Sequence, residues 1–247
     1  MKYFSTISSR WLAFNMKDKT LGANLKLRQA IAHAIDFDEY INVLTNSTNL
    51  KANSIYNPSI PGYLPSNELP YEYNLEKAKK LMAESNLTGV TLTYSTRGRQ
   101  KIYEVEGALL KKYLARIGIN LKIEMLTFSN FLKKGRAGKL QFFTDNWIYD
   151  YPDAENNIQL LTTKNSPGIN KSGYSSTKVD SLYNKLTETQ RQQDRFQIMR
   201  EVEAEVNKDL PWVMLMYDSS YVLHSNKVKN FRKSFFIRNY VKYIETF

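Results

Sequence analysis

The stretch from Val90 to Met125 constrains the fold more than any other part of the chain. Val90-Thr91-Leu92-Thr93-Tyr94-Ser95 alternates with period two, which predicts a strand. From Tyr103 to Ile117 the apolar positions shift to helical spacing, with Val105, Leu109, Leu110, Leu114 and Ile117 on one stripe and Gly118 just past the end. Ile119 to Met125 returns to a strand pattern. Strand, helix and strand in this order make a βαβ unit, whose two strands must be parallel with a right-handed crossover. A parallel pair needs helices on its faces, so the chain is expected to be α/β.

The other predicted elements agree with that class. Arg10 to Asn15 reads as a strand, Leu25 to Ile35 as a helix capped by Asn24, and Asp38 to Leu44 as a helix capped by Asp36. His33 is expected to be a surface or half-buried polar residue on the first of these. From Asn46 to Tyr73 the chain is loop-like, with Pro58, Pro61, Pro65 and Pro70, and such long connections are usually functional or draped over a larger body. Helices are expected at Leu75–Ser85, Phe128–Gly135 and Asp153–Leu161. A capping box at Thr177 to Asp180 opens another, and a long one runs from Arg191 to Lys208. Leu140 to Trp147 and Trp212 to Tyr217 are expected strands, and the tail from Phe235 to Phe247 is β-prone. Both ends of the chain are strand-like. Either they pair with each other, or they belong to a sheet lying mostly outside this chain.

The strand ending at Trp147 leads into Asp145-Asn146-Trp147-Ile148-Tyr149-Asp150-Tyr151-Pro152-Asp153-Ala154-Glu155, which holds three aromatics and four carboxylates. Ligands of α/β sheets sit at the carboxyl ends of strands. Rings with a carboxylate beside them suit a ligand with a cationic group and an apolar body, such as a peptide amino terminus. The same residues also fit a simpler arrangement, with the rings in the core and the acids on a solvated loop.

Composition narrows the function. The chain has 247 residues, no cysteine and two histidines, which removes disulfides and thiolate metal sites and argues against a histidine-based metal or triad site. No cofactor is expected. No Gly-x-Ser-x-Gly, His-Glu-x-x-His or phosphate-loop pattern is present, so the chain is not expected to be an enzyme. The net charge of +11 invites a nucleic-acid reading, but the basic residues are dispersed and form no recognition-helix or RNA-binding pattern, so no nucleic-acid partner is expected. There is no apolar run of membrane-spanning length, and Met1 to Asn15 lacks the apolar core of an export signal.

Several stretches, taken in order, resemble the family 5 extracytoplasmic solute-binding proteins of ABC transporters, the oligopeptide- and dipeptide-binding group. They are Leu12-Ala13-Phe14-Asn15-Met16, Leu27-Arg28-Gln29-Ala30-Ile31-Ala32-His33-Ala34-Ile35-Asp36, Tyr73 to Leu81, Arg116-Ile117-Gly118-Ile119 and Trp147 to Asp153. Gly173-Tyr174-Ser175, Val179-Asp180, Arg195 and Pro211 follow. The resemblance covers only the family's second half, from about Trp11 onward. It implies a periplasmic-binding-protein-like second lobe, a mixed sheet flanked by helices.

On that likeness, residues 1–16 would be a crossover strand from a missing first lobe, 17–210 the second lobe, and 211–247 the return crossover and a tail completing the first. The ligand would be a peptide or similar small solute, handed to an ABC permease in the inner membrane, and the full-length protein would work in the periplasm or otherwise outside the cytoplasm. The family's peptide binders use a tryptophan-x-x-aspartate segment for the ligand's α-ammonium, and Trp147 and Asp150 match it. The backbone from Asn146 through Trp147 to Ile148 would pair with an extended peptide as an added strand, and Tyr149 is a further candidate ligand contact. A histidine near the peptide carboxylate in some relatives corresponds to Gln100, with Arg97, Arg99 and Lys101 around it. An arginine three residues before the tryptophan is here Thr144. Asn15, at the end of the outgoing crossover, completes the candidate ligand contacts. The alternatives are a stand-alone basic α/β domain with another anionic or nucleic-acid partner, or a truncated receptor without transport activity.

Overall fold

The computed structural model describes residues 2–65, 68–98, 100–229, 231, 242 and 244–246. Most of the tail from Phe235 to Phe247, and Arg99, lie outside the described residues.

The βαβ unit is present. Strand β3 (Thr91–Arg97), helix α4 (Lys101–Ala115) and strand β4 (Asn120–Leu126) follow one another, and β3 pairs with β4 in parallel from Thr91↔Asn120 to Arg97↔Leu126. Gly118 closes the turn after α4 with φ of 78°, a conformation that costs a residue without Cβ little.

This unit forms one end of a six-stranded mixed sheet. Its other strands are β1 (Lys2–Phe14), β2 (Leu50–Lys51), β5 (Phe142–Ile148) and β6 (Trp212–Val222), and the order is β2-β6-β1-β5-β3-β4. The strand at the start of the chain pairs with β6, while most of the β-prone tail lies outside the described residues. β1 and β6 run antiparallel from Ala13↔Trp212 to Lys2↔Val222, in the middle of the sheet. Trp11 and Trp212 stack across this pair with ring centroids 4.3 Å apart. β1 also pairs antiparallel with β5, from Phe14↔Phe142 to Ser8↔Ile148.

Both faces of the sheet are covered, and successive residues go to opposite faces. Leu12, Phe14, Phe142, Val213 and Leu215 enter one core with α4, α1 (Leu25–Ala34), α2 (Phe37–Thr45) and α3 (Leu75–Glu84). Trp11, Ala13, Phe143, Trp212 and Met214 enter the other. They meet Phe131 of α5 (Phe128–Arg136) there, with α7 (Thr177–Glu188) and α8 (Gln192–Asp209). Each wholly buried Leu or Phe contributes about 1.5–3 kcal/mol by burial, so both faces anchor the sheet.

Asn24, Asp36, Asn74 and Thr127 cap their helices, each accepting from the backbone N–H three residues on. Three expectations are corrected. α7 is capped by Ser176, not Thr177, and the Asp180 carboxylate accepts the Thr163 N–H instead of closing a box. The expected helix from Asp153 to Leu161 is a single α turn, α6 (Glu155–Ile158), tightened into a 3-10 turn over Gln159–Leu161. His33 is 3% exposed, and its Nδ1 lies 2.7 Å from the Glu72 carbonyl. It therefore ties α1 to the end of the proline-rich connection. That connection lies over the sheet, with Ile55, Tyr56 and Ile60 in the second core.

Candidate functional site

β5 is where the sheet opens. It pairs with β1 along its whole length but meets β3 only at Tyr94↔Phe142 and Ser95↔Phe143. The Tyr149 N–H donates to Ile7 O at 2.9 Å, and the Asn15 N–H donates to Gln141 O at 2.9 Å. Odd-numbered residues of this strand thus aim their backbone groups at β1. By the two-residue period, Thr144, Asn146 and Ile148 aim theirs at the opposite edge. Among the described residues no strand pairs with that edge beyond Phe143. The Asn146 N–H there is met by Oδ1 of Asp145 at 3.0 Å.

The four carboxylates from Asp145 to Glu155 differ sharply in their surroundings. Asp145 is 4% exposed and lies between two cations, with Arg97 Nη1 at 3.2 Å and Lys171 Nζ at 2.6 Å. Asp153 accepts from Arg195 Nη2 through each oxygen, at 2.7 and 2.6 Å, and its Oδ1 also accepts the Glu155 N–H at 2.9 Å; that same guanidinium donates to the carbonyls of Leu186 and Thr189. Glu155 accepts from the Tyr183 hydroxyl at 3.4 Å. Asp150 is exposed, and among the described residues its carboxylate has no partner.

Asn156, which sequence reasoning missed, fixes the turn between Trp147 and Asp150. It is 1% exposed, and its Oδ1 accepts the Trp147 indole N–H at 2.7 Å and the Asp150 backbone N–H at 3.2 Å. The available signal was an Asn156-Asn157 pair ahead of the apolar Ile158, Leu160 and Leu161: two buried amides at a helix start need partners.

The remaining predicted residues are placed as follows. Ile148 is 63% exposed at the end of β5, whereas Tyr149 turns its ring into the second core at 1% exposure. Burial pushes the Tyr149 hydroxyl above its ordinary range. Asn15 is buried, and its amide donates to Gly138 O and Leu140 O while its Oδ1 accepts the Lys17 N–H. Its side chain therefore fixes the entry to β5. Arg97 is held by Asp145 and lies about 6 Å from the rings of Phe128 and Phe131. Gln100 is exposed at the start of α4 and makes no side-chain cap. Lys101 pairs with Glu104 one turn along, at 3.1 Å.

Beneath the open edge lies a buried polar network. Glu106 of α4 is fully buried and accepts from Arg10 Nη2 at 3.0 Å through each oxygen. The Tyr40 and Tyr94 hydroxyls also donate to it, and Tyr94 reaches Thr144 Oγ1 at 2.7 Å. Burial works against the Arg10 charge and is the largest single effect, but Glu106 together with Tyr40, Tyr94 and Asp218 outweighs it, and the guanidinium pKa is raised above its ordinary value.

Residues 1–168 match the family model described as bacterial extracellular solute-binding proteins, family 5 middle. The chain belongs to this family. A structure of the DppA periplasmic binding protein from Helicobacter pylori, in complex with the peptide STSA, superposes with a TM-score of 0.85 at 29% identity, covering 99% of this chain and 48% of that one. The dipeptide-binding protein DppE of Bacillus subtilis is 24% identical over 90% of this chain and 41% of its own length. Heme-binding protein A of Haemophilus influenzae is 24% identical over 91% of this chain and 42% of its own. The chain thus spans less than half the length of these relatives. The family is one of binding proteins, not enzymes, and its fold is the mixed α/β one described above. Among the described residues, no helix is long and apolar enough to cross a membrane.

Proposed function

We propose that this chain forms the ligand-holding lobe of an extracytoplasmic receptor that collects short peptides for an ABC transporter. The peptide lies as an added strand on the free edge of β5 from Thr144 to Ile148, with its α-ammonium on Asp150 and its first side chain beside Trp147 and Tyr151. β1 and β6 carry the chain to and from a first lobe, which closes over the ligand, and the assembled receptor delivers it to a permease.

One observation carries the reading. Of the four carboxylates from Asp145 to Glu155, Asp150 combines exposure, the end of an open strand edge and the lack of a described partner. The relatives' names, dipeptide-binding and peptide-bound, supply the ligand class.

A charge-assisted bond of this kind contributes about 1.5–3 kcal/mol, or roughly tenfold to a hundredfold in affinity. A lobe without its counterpart encloses less of the ligand, so millimolar binding is expected of the isolated chain. The test is a titration of the ¹⁵N-labelled chain with trialanine and with N-acetyl-trialanine. The free peptide should shift the Trp147 indole resonance saturably, and the acetylated one should not. Equal binding of the two, or binding unchanged in Asp150→Ala, overturns the ammonium contact. Binding of haem and of no peptide replaces the ligand class.

A further inference from the structure

The two margins of the six-stranded sheet are unlike. β2, at one margin, is only Leu50–Lys51, and so short an edge gives a second chain little to pair with. β4, at the other, runs from Asn120 to Leu126 and keeps its register with β3 throughout, without a bulge. It is separate from the free edge of β5, because β3 lies between them.

The Asn120 N–H donates to Val90 O at 2.8 Å, and Leu126 O accepts the Gly98 N–H at 2.7 Å. Even-numbered residues of β4 thus aim their backbone groups at β3. By the two-residue period, Leu121, Ile123 and Met125 aim theirs outward, and among the described residues no strand pairs with them. The side chains of these three go to the α4 face, where Leu121 joins the first core and Ile123 lies against Gly107. Ile123 and Met125 remain 38% and 40% exposed, so α4 leaves this margin uncovered. A regular edge strand with exposed apolar side chains is a pairing site unless charge, proline or a bulge blunts it.

The charges of β4 lie on its opposite face. Lys122 is exposed and has no described partner. Glu124 accepts from Lys134 Nζ and Ser95 Oγ through Oε2 alone, which leaves Oε1 without a described partner. These two residues select a register for pairing with a second copy. Antiparallel pairing centred on Lys122 sets lysine against lysine, and pairing centred on Glu124 sets glutamate against glutamate. Like charges directly opposite are destabilising. Pairing centred on Ile123 instead sets each Lys122 against Glu124 of the other copy. On the α4 face it sets Ile123 against Ile123 and Leu121 against Met125.

We infer that β4 is a self-association edge, through which two copies of this chain pair antiparallel about Ile123 and join their sheets. In this register the outward N–H and C=O of Leu121, Ile123 and Met125 all find partners on the other copy. The formal charge of +11 on each copy opposes their approach, so the pairing is to be measured at about 0.15 M salt, where charges more than about 8 Å apart are largely screened.

Sedimentation equilibrium of the whole chain, from micromolar to millimolar concentration, should show a mass rising from 28.8 kDa toward twice that value. Lys122→Glu and Glu124→Lys should each weaken association at least about tenfold, because each sets like charges opposite one another. An equimolar mixture of the two variants should restore it, since every charge then meets its opposite across the pair. Hydrogen exchange locates the contact: association should slow the amides of Leu121, Ile123 and Met125 and leave that of Ile148 unchanged. A mass that stays at 28.8 kDa overturns the inference, as does association indifferent to Lys122→Glu, a mixture no better than its components, or protection at Ile148 in place of Ile123. Circular dichroism confirms folding of each variant. If Glu124→Lys fails to fold for want of its bonds to Lys134 and Ser95, Lys122→Glu and the exchange pattern decide the matter.

Discussion

Trp147 and Asn156 are joined by a 2.7 Å bond from the indole N–H to the amide oxygen, and that same oxygen accepts the backbone N–H of Asp150. One buried side chain thus fixes both the ring and the acid of the proposed peptide site. Asn156→Ala should leave two donors unsatisfied and cost about 1–3 kcal/mol. It should also lower peptide affinity, because the Trp147-to-Asp150 turn loses its anchor. Urea unfolding and the trialanine titration measure the two effects. Full affinity with reduced stability would show that Asn156 is structural only.

Asp145 and Asp150 should respond oppositely to removal of charge. Asp145→Asn leaves Arg97 and Lys171 facing each other with little water access, their side chains being 20% and 14% exposed. A loss of about 2–3 kcal/mol is expected, short of the cost of breaking a wholly buried pair. Asp150→Asn should change stability by less than about 0.5 kcal/mol, as exposed substitutions do, while removing the ammonium contact. Denaturant midpoints for the two variants, beside their peptide titrations, test the contrast.

The same contrast explains what the sequence could disclose. The βαβ unit is legible because its signal is local: period two, then a helical stripe, then period two again. The central pair of the sheet, Ala13 with Trp212, joins residues far apart in sequence. Their patterns show two strands but no pairing, which left two arrangements open. The site divides likewise. Rings and acids stand together from Asp145 to Glu155, so the cluster is visible. Which acid stays free is decided by Arg97, Lys171 and Arg195, brought in by folding. Tyr149 and Asn15 are similar cases, since neighbours distant in sequence turn one into the core and bind the other to the carbonyls of Gly138 and Leu140.

His33 predicts an acid-side loss of stability. Burial, followed by smaller effects including that of Lys77, lowers its pKa from the ordinary 6.5. The folded chain then binds fewer protons at this residue than the unfolded chain does. Its contribution is present above about pH 6.5 and declines as the pH falls toward the lowered folded value. His33→Gln should flatten the change in urea midpoint between pH 7.5 and pH 5.5. An unchanged slope would mean other groups set the acid limb.

The Arg10–Glu106 pair should behave as a coupled unit. Glu106→Leu removes the acceptor of four hydrogen bonds and leaves the Arg10 charge beneath the sheet, where its Nε already lacks a partner. Breaking a buried pair from one side costs about 3–5 kcal/mol. Arg10→Met alone strands the carboxylate, although Tyr40 and Tyr94 still donate to it, so its cost should be smaller. In the double variant Arg10→Met/Glu106→Leu no charge remains to be desolvated, and apolar packing replaces the pair. The double variant should therefore be more stable than Glu106→Leu alone, giving a coupling of about 1–3 kcal/mol in a double-mutant cycle. Additive losses would mean that the two side chains act separately. Because Tyr94 links Glu106 to Thr144 on the free edge of β5, the cycle should be run a second time on peptide affinity. Coupling there as well would show that this network holds the edge in its binding position, whereas coupling in stability alone would confine it to the core.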